Sequence, residues 1–254
     1  MILDIGSRTF VTRELKRFLS LYNQTLMPGI LTTLLYLVVF GKSLGSRIGE
    51  IKGVDYMDYL IPGLAMMNVI TNAYSNSASS LLQAKLLKFI DDILITPLSG
   101  LEISMGYIAG GALRGLLNGL LVLLVGKVLT GMPLAHPWFI LLFLLMVGWA
   151  FGAAGLLVDI FAKTWDNIQI LVNFFIMPLV FLGGVFYSID MLPPLWRSIS
   201  LFNPLYYMIN GLRFAVLGVA DSSPWGSLVV SVAAAVLFTT VGAFLFARGY
   251  RIKD

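Results

Sequence analysis

The chain has 254 residues, 58% of them hydrophobic and only 12% charged, with a mean hydropathy of +0.89 and a formal net charge of +4. That composition excludes an ordinary soluble domain, and the absence of cysteine excludes a disulfide framework, a thiolate nucleophile and a Cys-ligated metal site. The basic residues stand beside apolar runs, as membrane orientation requires, so no nucleic-acid partner is expected.

The first 23 residues lack an apolar core followed by a small-residue cleavage site and do not read as a signal peptide. Val11, Leu15, Phe18, Leu19 and Tyr22 recur at helical spacing opposite Arg13, Lys16, Arg17 and Ser20. This predicts an interfacial helix, its apolar face in the acyl boundary and its basic face on anionic headgroups. Six apolar runs follow, at about 24–40, 59–82, 103–125, 138–160, 168–186 and 228–246, each near the roughly 20 residues that cross a hydrocarbon core of about 30 Å. An even number places both termini on one side. With that side cytoplasmic, Arg8, Arg13, Lys16, Arg17, Lys85, Lys88, Lys163, Arg248, Arg251 and Lys253 lie inside, against Lys42, Arg47, Lys52, Lys127, Arg197 and Arg213 outside. The excess satisfies the positive-inside rule.

The second run places Asn68, Asn72 and Asn76 at four-residue spacing, with Thr71, Ser75 and Ser79 beside them. Such a face cannot look at lipid; it either hydrogen-bonds across the bundle or lines a polar path. Next comes "QAKLLKFIDDILITPLSG", in which Leu86, Ile90, Ile93, Leu94 and Pro97 share one side of a helix and Lys85, Lys88 and Asp92 the other. On the cytoplasmic side this amphipathic stretch offers a docking surface for a soluble partner, or rests on headgroups alone. The third run carries Gly106, Gly110, Gly111, Gly115 and Gly119, small-residue spacings that permit close backbone approach. It also carries Asn118 and Arg114, the latter about 16 Å deep at ~1.5 Å per residue. Arg114 is expected to face protein, paired with backbone carbonyls or an acid such as Asp159.

After the fifth run, Pro193–Pro194 and Asn203–Pro204 interrupt an aromatic-rich connection. Pro204 opens a helix in which Leu205, Met208, Ile209 and Leu212 recur, while Trp196, Tyr206 and Tyr207 suit an interface. Two short helices dipping into or lying on the outer leaflet are expected; a hydrophobic loop packed on the bundle is the alternative.

Nucleotide chemistry has no site: Tyr36 stands where a Walker A glycine should precede Gly41, Lys42 and Ser43. His136 is the only histidine and has no second ligand nearby. The chain reads as a non-catalytic membrane protein. It is either a transporter driven by a partner's ATP hydrolysis or an ion-coupled secondary transporter or channel, with Arg114 and the asparagines as its ion or substrate site.

Taken in order and spacing, "YLIPGLAMMNVITNAYSN", "KLLKFIDDILITPLS", "GYIAGGALRG", "AKTWDNIQ" and "PLVFLGGVFYSIDMLPPLWRSISLFNP" followed by "GLRF" resemble the membrane subunits of ABC-2 type exporters over nearly the whole chain. The resemblance implies an all-α integral membrane fold in one domain, 1–254, with six transmembrane helices. Residues 1–23 would be an interfacial helix, 83–97 would contain a cytoplasmic coupling helix, and 187–218 would form an outer re-entrant hairpin before the last span. Lys85, Lys88, Asp91, Asp92 and Pro97 would then contact an ABC ATP-binding subunit. The family usually places a basic residue and a glutamate there, where this chain has Lys88 and Asp91–Asp92. Asn68, Asn72, Asn76, Arg114 and Asn118 would form the translocation path or an intramembrane polar network, and Pro193, Pro194, Asn203, Pro204 and Arg213 an outer gate. Two copies of the chain would pair with two ATPase subunits, which carry ATP and Mg while this chain binds no cofactor. The implied location is the bacterial inner membrane, surrounded by lipid, with both termini cytoplasmic, and the implied cargo an amphipathic lipid, glycolipid, polysaccharide or drug.

Overall fold

The computed structural model describes residues 5–249, without the side chains of Lys42, Leu44 and Ser46; Arg251 and Lys253, counted above among the inner basic residues, lie outside the described residues. Helix α1 (Ile5–Ser20) leads into α2 (Tyr22–Gly41), whose end is π-helical over Leu37–Lys42 before the helix continues to Ile48. A hairpin of β1 (Glu50–Ile51) and β2 (Val54–Asp55) follows, Glu50 opposite Asp55 and Ile51 opposite Val54. Its two-residue turn holds Lys52 at φ 55° and Gly53 at φ 75°, the left-handed pair that a two-residue hairpin needs. Then come α3 (Tyr56–Leu86), α4 (Ile90–Leu94), α5 (Gly100–Thr130), α6 (Pro137–Phe161) and α7 (Trp165–Leu182), the last interrupted by a π-helical stretch over Val172–Ile176. The chain closes with α8 (Pro194–Phe202), α9 (Pro204–Leu217) and α10 (Pro224–Ala247).

Among the described residues, five helices, α2, α5, α6, α7 and α10, are long and apolar enough to cross a membrane. Helix α3 matches α5 in length at 31 residues, but its asparagines and serines dilute its hydropathy. It compensates by enclosure: every residue from Tyr59 to Ile70 is buried. A helix wrapped by protein can carry polar groups that lipid would reject.

Glycines set how tightly α3, α5 and α6 pack. A Cβ at Gly111 on α5 would stand 2.3 Å from Ser77 Oγ and 2.7 Å from the Ala73 carbonyl on α3. One at Gly155 on α6 would stand 2.4 Å from the Tyr74 carbonyl. The small-residue stripe of α5 therefore packs within the chain, as close helix approach in membranes requires.

One local expectation is corrected. The stretch 83–97 is not a single amphipathic helix: α3 runs on to Leu86, Lys88 turns the chain at φ 61°, and only Ile90–Leu94 forms the short helix. Gln83 and Lys85 therefore belong to the long helix. On α1 the stripe packed against the bundle is Ser7, Phe10, Glu14 and Phe18, while Leu19 and Tyr22 of the periodic apolar face are exposed on the outside of the protein. The reason lies across the contact, where added Cβ atoms at Gly106 and Gly110 would meet Phe10 and Glu14 at 2.3 and 2.8 Å. Glycine on α5 leaves the groove into which this stripe fits. Two short helices, α8 and α9, do occupy the Pro-interrupted connection, with Pro194 and Pro204 in their first turns and Asn203 capping α9 through the Leu205 amide.

Candidate functional site

Along α3 the four-residue spacing of Asn68, Asn72 and Asn76, extended by Ser80, becomes a row of polar contacts to three other helices. Near its lower end Ser80 Oγ donates to Glu14 Oε2 at 2.7 Å. Glu14 is fully buried and pairs with Arg13 and Arg17, each at 3.3 Å. One turn up, Arg17 Nη2 donates to the backbone and side-chain oxygens of Asn76, at 3.1 and 2.9 Å. Next, Arg114 Nη2 on α5 donates to Asn72 Oδ1 at 3.1 Å, and Asn72 Nδ2 donates to the Asn68 carbonyl at 3.0 Å. At the top Asn68 Nδ2 donates to the Leu64 carbonyl at 3.0 Å and to Thr33 Oγ1 on α2 at 3.4 Å. Asn118 Nδ2 returns to the Arg114 carbonyl at 3.0 Å.

Gly29 on α2 closes this end. A Cβ there would lie 2.5 Å from Asn68 Oδ1 and 3.1 Å from Asn118 Oδ1. All five polar residues singled out on the second and third runs thus share one seam between α3 and its neighbours. The row is not sealed: Thr71, Asn72, Ser75 and Ser79 on α3, and Arg114 opposite, remain partly exposed. The expected pairing of Arg114 with Asp159 does not form. Asp159 is fully buried at the end of α6, where Lys85 Nζ lies 3.9 Å from its Oδ2 and hydrogen-bonds its carbonyl oxygen. Lys85 comes from the last turn of α3, the end nearest α6, which is why it takes this acid.

Beyond Lys85, α4 turns Ile90 and Ile93 inward and leaves Asp91 and Asp92 exposed, with Lys88 exposed on the preceding turn. Leu87 and Ile95 on either side are 62% and 82% exposed, so the tip is apolar as well as acidic. Asp92, Ile93 and Pro97 line one wall of a groove of about 680 Å³ whose other wall is α1, through Gly6, Phe10 and Arg13.

At the opposite end Asp221, in the α9–α10 loop, gathers a second cluster. It accepts from Ser188 Oγ at 2.9 Å and from Tyr59 OH at 3.1 Å, and Lys52 Nζ lies 2.5 Å from its Oδ1. Burial alone would raise the carboxyl, but the Lys52 hydrogen bond and the charge of Arg213 hold it below its ordinary 3.8. Arg213 is fully buried; it donates to the Gly184 carbonyl at 2.7 Å and stacks over the Tyr59 ring at 3.9 Å. Asn203 Nδ2 donates to the Leu179 carbonyl on α7 at 2.6 Å. The cluster ties the β-hairpin, the start of α3 and the α8–α9 pair into one clasp.

Sequence reasoning missed Glu14, Ser80, Lys52, Tyr59 and Asp221. Only Glu14 left a signal, as an acid three residues before Arg17, an intrahelical pairing spacing.

A bundle of long apolar helices around a polar seam, with an exposed tip at one end and a clasp at the other, defines a multi-pass α-helical membrane protein. The profile of the ABC-2 type transporter family matches residues 7–217, and the chain belongs to that family. It is 41% identical over 254 residues to the inner membrane transport permease YadH of Escherichia coli (strain K12), covering 98% of each chain. It is 25% identical over 208 residues to nodulation protein J of Sinorhizobium fredii (strain NBRC 101917 / NGR234), covering 81% of this chain and 77% of that one. With nodulation protein J of Rhizobium leguminosarum bv. viciae the identity is 27% over 201 residues, covering 76% and 75%. The chain is accordingly a multi-pass inner-membrane protein whose ABC-2 membership implies an ABC ATP-binding partner in general.

Proposed function

We propose that this chain is the membrane subunit of an ATP-driven exporter, working as a pair of copies that enclose the translocation path and coupled to two separate ATP-binding subunits. ATP and Mg act on those partners, and this chain supplies no cofactor site. The single observation behind the reading is the α4 tip. Exposed Leu87, Ile95, Asp91 and Asp92 form an apolar and acidic knob at the end of the most enclosed helix, anchored by buried Ile90 and Ile93. Movement of such a knob in a partner's cleft passes along α3 to the asparagine row, since the helix between them is continuous.

In this reading α3 is a sixth span and both termini are cytoplasmic. Asn68, Asn72, Asn76, Arg114 and Asn118 line the path. Asn72 and Arg114, with Thr71, Ser75 and Ser79, present the partly exposed polar face, which is unsuited to lipid and is covered by the second copy. Helices α8 and α9 form the outer re-entrant gate, with Pro193, Pro194, Asn203 and Pro204 fixing its bends and Arg213 latching it to α3 through Tyr59. Cargo is an amphipathic lipid, glycolipid, polysaccharide or drug.

The test is purification in mild detergent from the native host. An ATP-hydrolysing protein should co-elute at about one-to-one, and Asp91→Arg with Asp92→Arg should leave folding intact while uncoupling ATP hydrolysis from transport. Partner-free elution, or coupled transport that survives the double substitution, sinks the reading and returns the Arg114 region to an ion-coupled carrier.

A further inference from the structure

The polar row carries three cations, Arg13, Arg17 and Arg114, against one carboxylate, Glu14, which Arg13 and Arg17 share. Among the described residues Glu14 pairs with Arg13 and Arg17, Lys85 with Asp159, and Asp221 with Lys52. Arg213 lacks a direct ion pair but meets the Gly184 carbonyl, Asn210 Oδ1 and the Tyr59 ring. Arg114 has neither arrangement. It forms no ion pair among the described residues, its single side-chain hydrogen bond goes to Asn72 Oδ1 at 3.1 Å, and its enclosed Nε has no acceptor. A guanidinium has five N–H donors, so most of its donor capacity is unspent.

Its position makes that vacancy meaningful. Arg114 stands halfway along the 31-residue α5, where an unpaired cation is costly in an apolar surrounding. Asn72 solvates the guanidinium without cancelling its charge, and the surrounding apolar helices screen that charge far less than water does. Thr71, Asn72 and Ser75 are partly exposed on the same open side as Arg114, so the residual charge faces the unsealed seam rather than a closed core. A lone, forked, incompletely bonded cation of this kind is matched by the planar or tetrahedral oxygens of an acid.

We propose that Arg114 is the recognition point for an oxyanionic headgroup, phosphate or carboxylate, carried by an amphipathic substrate. This rests on the reading of the α3–α5 seam as the translocation path and narrows its cargo to acidic amphipaths. Asn72 is then a positioning residue that holds the guanidinium open while the seam is empty. The headgroup supplies the counter-charge the chain itself lacks, and the cargo's apolar part stays toward the lipid side of the seam.

The test uses the purified full-length chain in detergent with radiolabelled dioleoyl phosphatidic acid as probe. Competitors are phosphatidylglycerol, zwitterionic phosphatidylcholine and inorganic phosphate, and melting temperature is the folding control. Wild type should bind the probe saturably, with displacement by phosphatidylglycerol but not by phosphatidylcholine or inorganic phosphate. Arg114→Lys keeps the charge but not the fork and should retain binding between wild type and Arg114→Gln, which should lose about tenfold or more, the scale of one charge-assisted interaction. Asn72→Asp separates recognition from folding: it places a counter-ion against Arg114, so it should hold or raise the melting temperature while weakening the probe by a similar factor. Undiminished binding in a folded Arg114→Gln or Asn72→Asp chain overturns the proposal, as does equal displacement by phosphatidylcholine or inorganic phosphate. Because this assay needs no ATPase, acid-specific binding by a chain that elutes without a partner keeps the inference and ends the exporter reading. A co-eluting ATPase with headgroup-blind binding does the reverse.

Discussion

The hydroxyl of Ser80 on α3 donates to the carboxylate of Glu14 on α1 at 2.7 Å, joining side chains 66 residues apart in sequence. Glu14 is fully buried, and its other contacts are Arg13 and Arg17, so one carboxylate fastens α1 to the end of α3 just above the α4 tip. Glu14→Ala takes the acceptor from the Ser80 hydroxyl and the counter-charge from Arg17, which keeps only its hydrogen bonds to Asn76. A loss of about 3 kcal/mol is expected, the lower end for breaking a buried charge pair because Arg17 is partly exposed. Glu14→Gln keeps an acceptor for Ser80 and should lose less. Thermal unfolding in detergent reads both, and an Ala variant that melts with the wild type removes the anchoring role.

Periodicity and composition made the helices legible because lipid imposes a simple rule on the residues facing it. The five apolar spans and the two Pro-opened outer helices follow from that rule. Helix α3 was legible at 59–82 as one of six apolar runs, and the four-residue spacing of Asn68, Asn72 and Asn76 added that one of its faces does not meet lipid. What stayed hidden depends on long-range choices. Glu14 turns inward only because Gly106 and Gly110 open a groove for it, and Asp159 takes Lys85 only because the ends of α3 and α6 meet. The assembly of the clasp around Asp221 joins segments up to 169 positions apart, a distance at which sequence spacing carries no signal.

The Lys85–Asp159 pair should behave as a couple. Asp159 is fully buried with both carboxylate oxygens lacking a hydrogen bond, so the ammonium 3.9 Å away is its main compensation. Lys85→Met leaves that carboxylate uncompensated and should cost about 3–5 kcal/mol. Adding Asp159→Leu should recover most of the loss, since an apolar pair of similar volume needs no counter-charge. A double-mutant cycle by thermal unfolding gives the coupling; additive losses would refute the pairing.

Two glycines offer a paired control on packing. Gly155→Ala drives a Cβ to 2.4 Å from the Tyr74 carbonyl, and a backbone atom cannot rotate aside. Overpacking of this kind should cost about 1–3 kcal/mol and reduce the monodisperse fraction in size-exclusion profiles. Gly242→Ala meets nothing nearer than 3.6 Å and should elute and melt as the wild type does. Equal behaviour of the two variants would mean that α3 and α6 do not approach as described.

The outer clasp should be sensitive to acid through Asp221. Its carboxyl lies below the ordinary 3.8: burial pushes it up, but the Lys52 hydrogen bond and the Arg213 charge outweigh that. A depressed carboxyl contributes stability that is complete above its unfolded value and disappears as pH falls through the folded one. Lys52 is raised, since its bonds and charge contacts to Asp221 and Asp190 outweigh the opposing effect of burial, so its share is lost only on the alkaline side of 10.5. In acid, then, the Asp221 proton is the relevant change in this pair. Asp221→Asn should melt lower than the wild type near neutrality by about 2 kcal/mol, the scale of hydrogen bonds to a charged group. Melting both chains from about pH 7 into acid below 3.8 should bring the curves progressively closer, because protonation of the wild-type side chain leaves it no more charge than the amide. A gap that stays constant across that range would assign the Asp221 contribution to shape rather than to its charge.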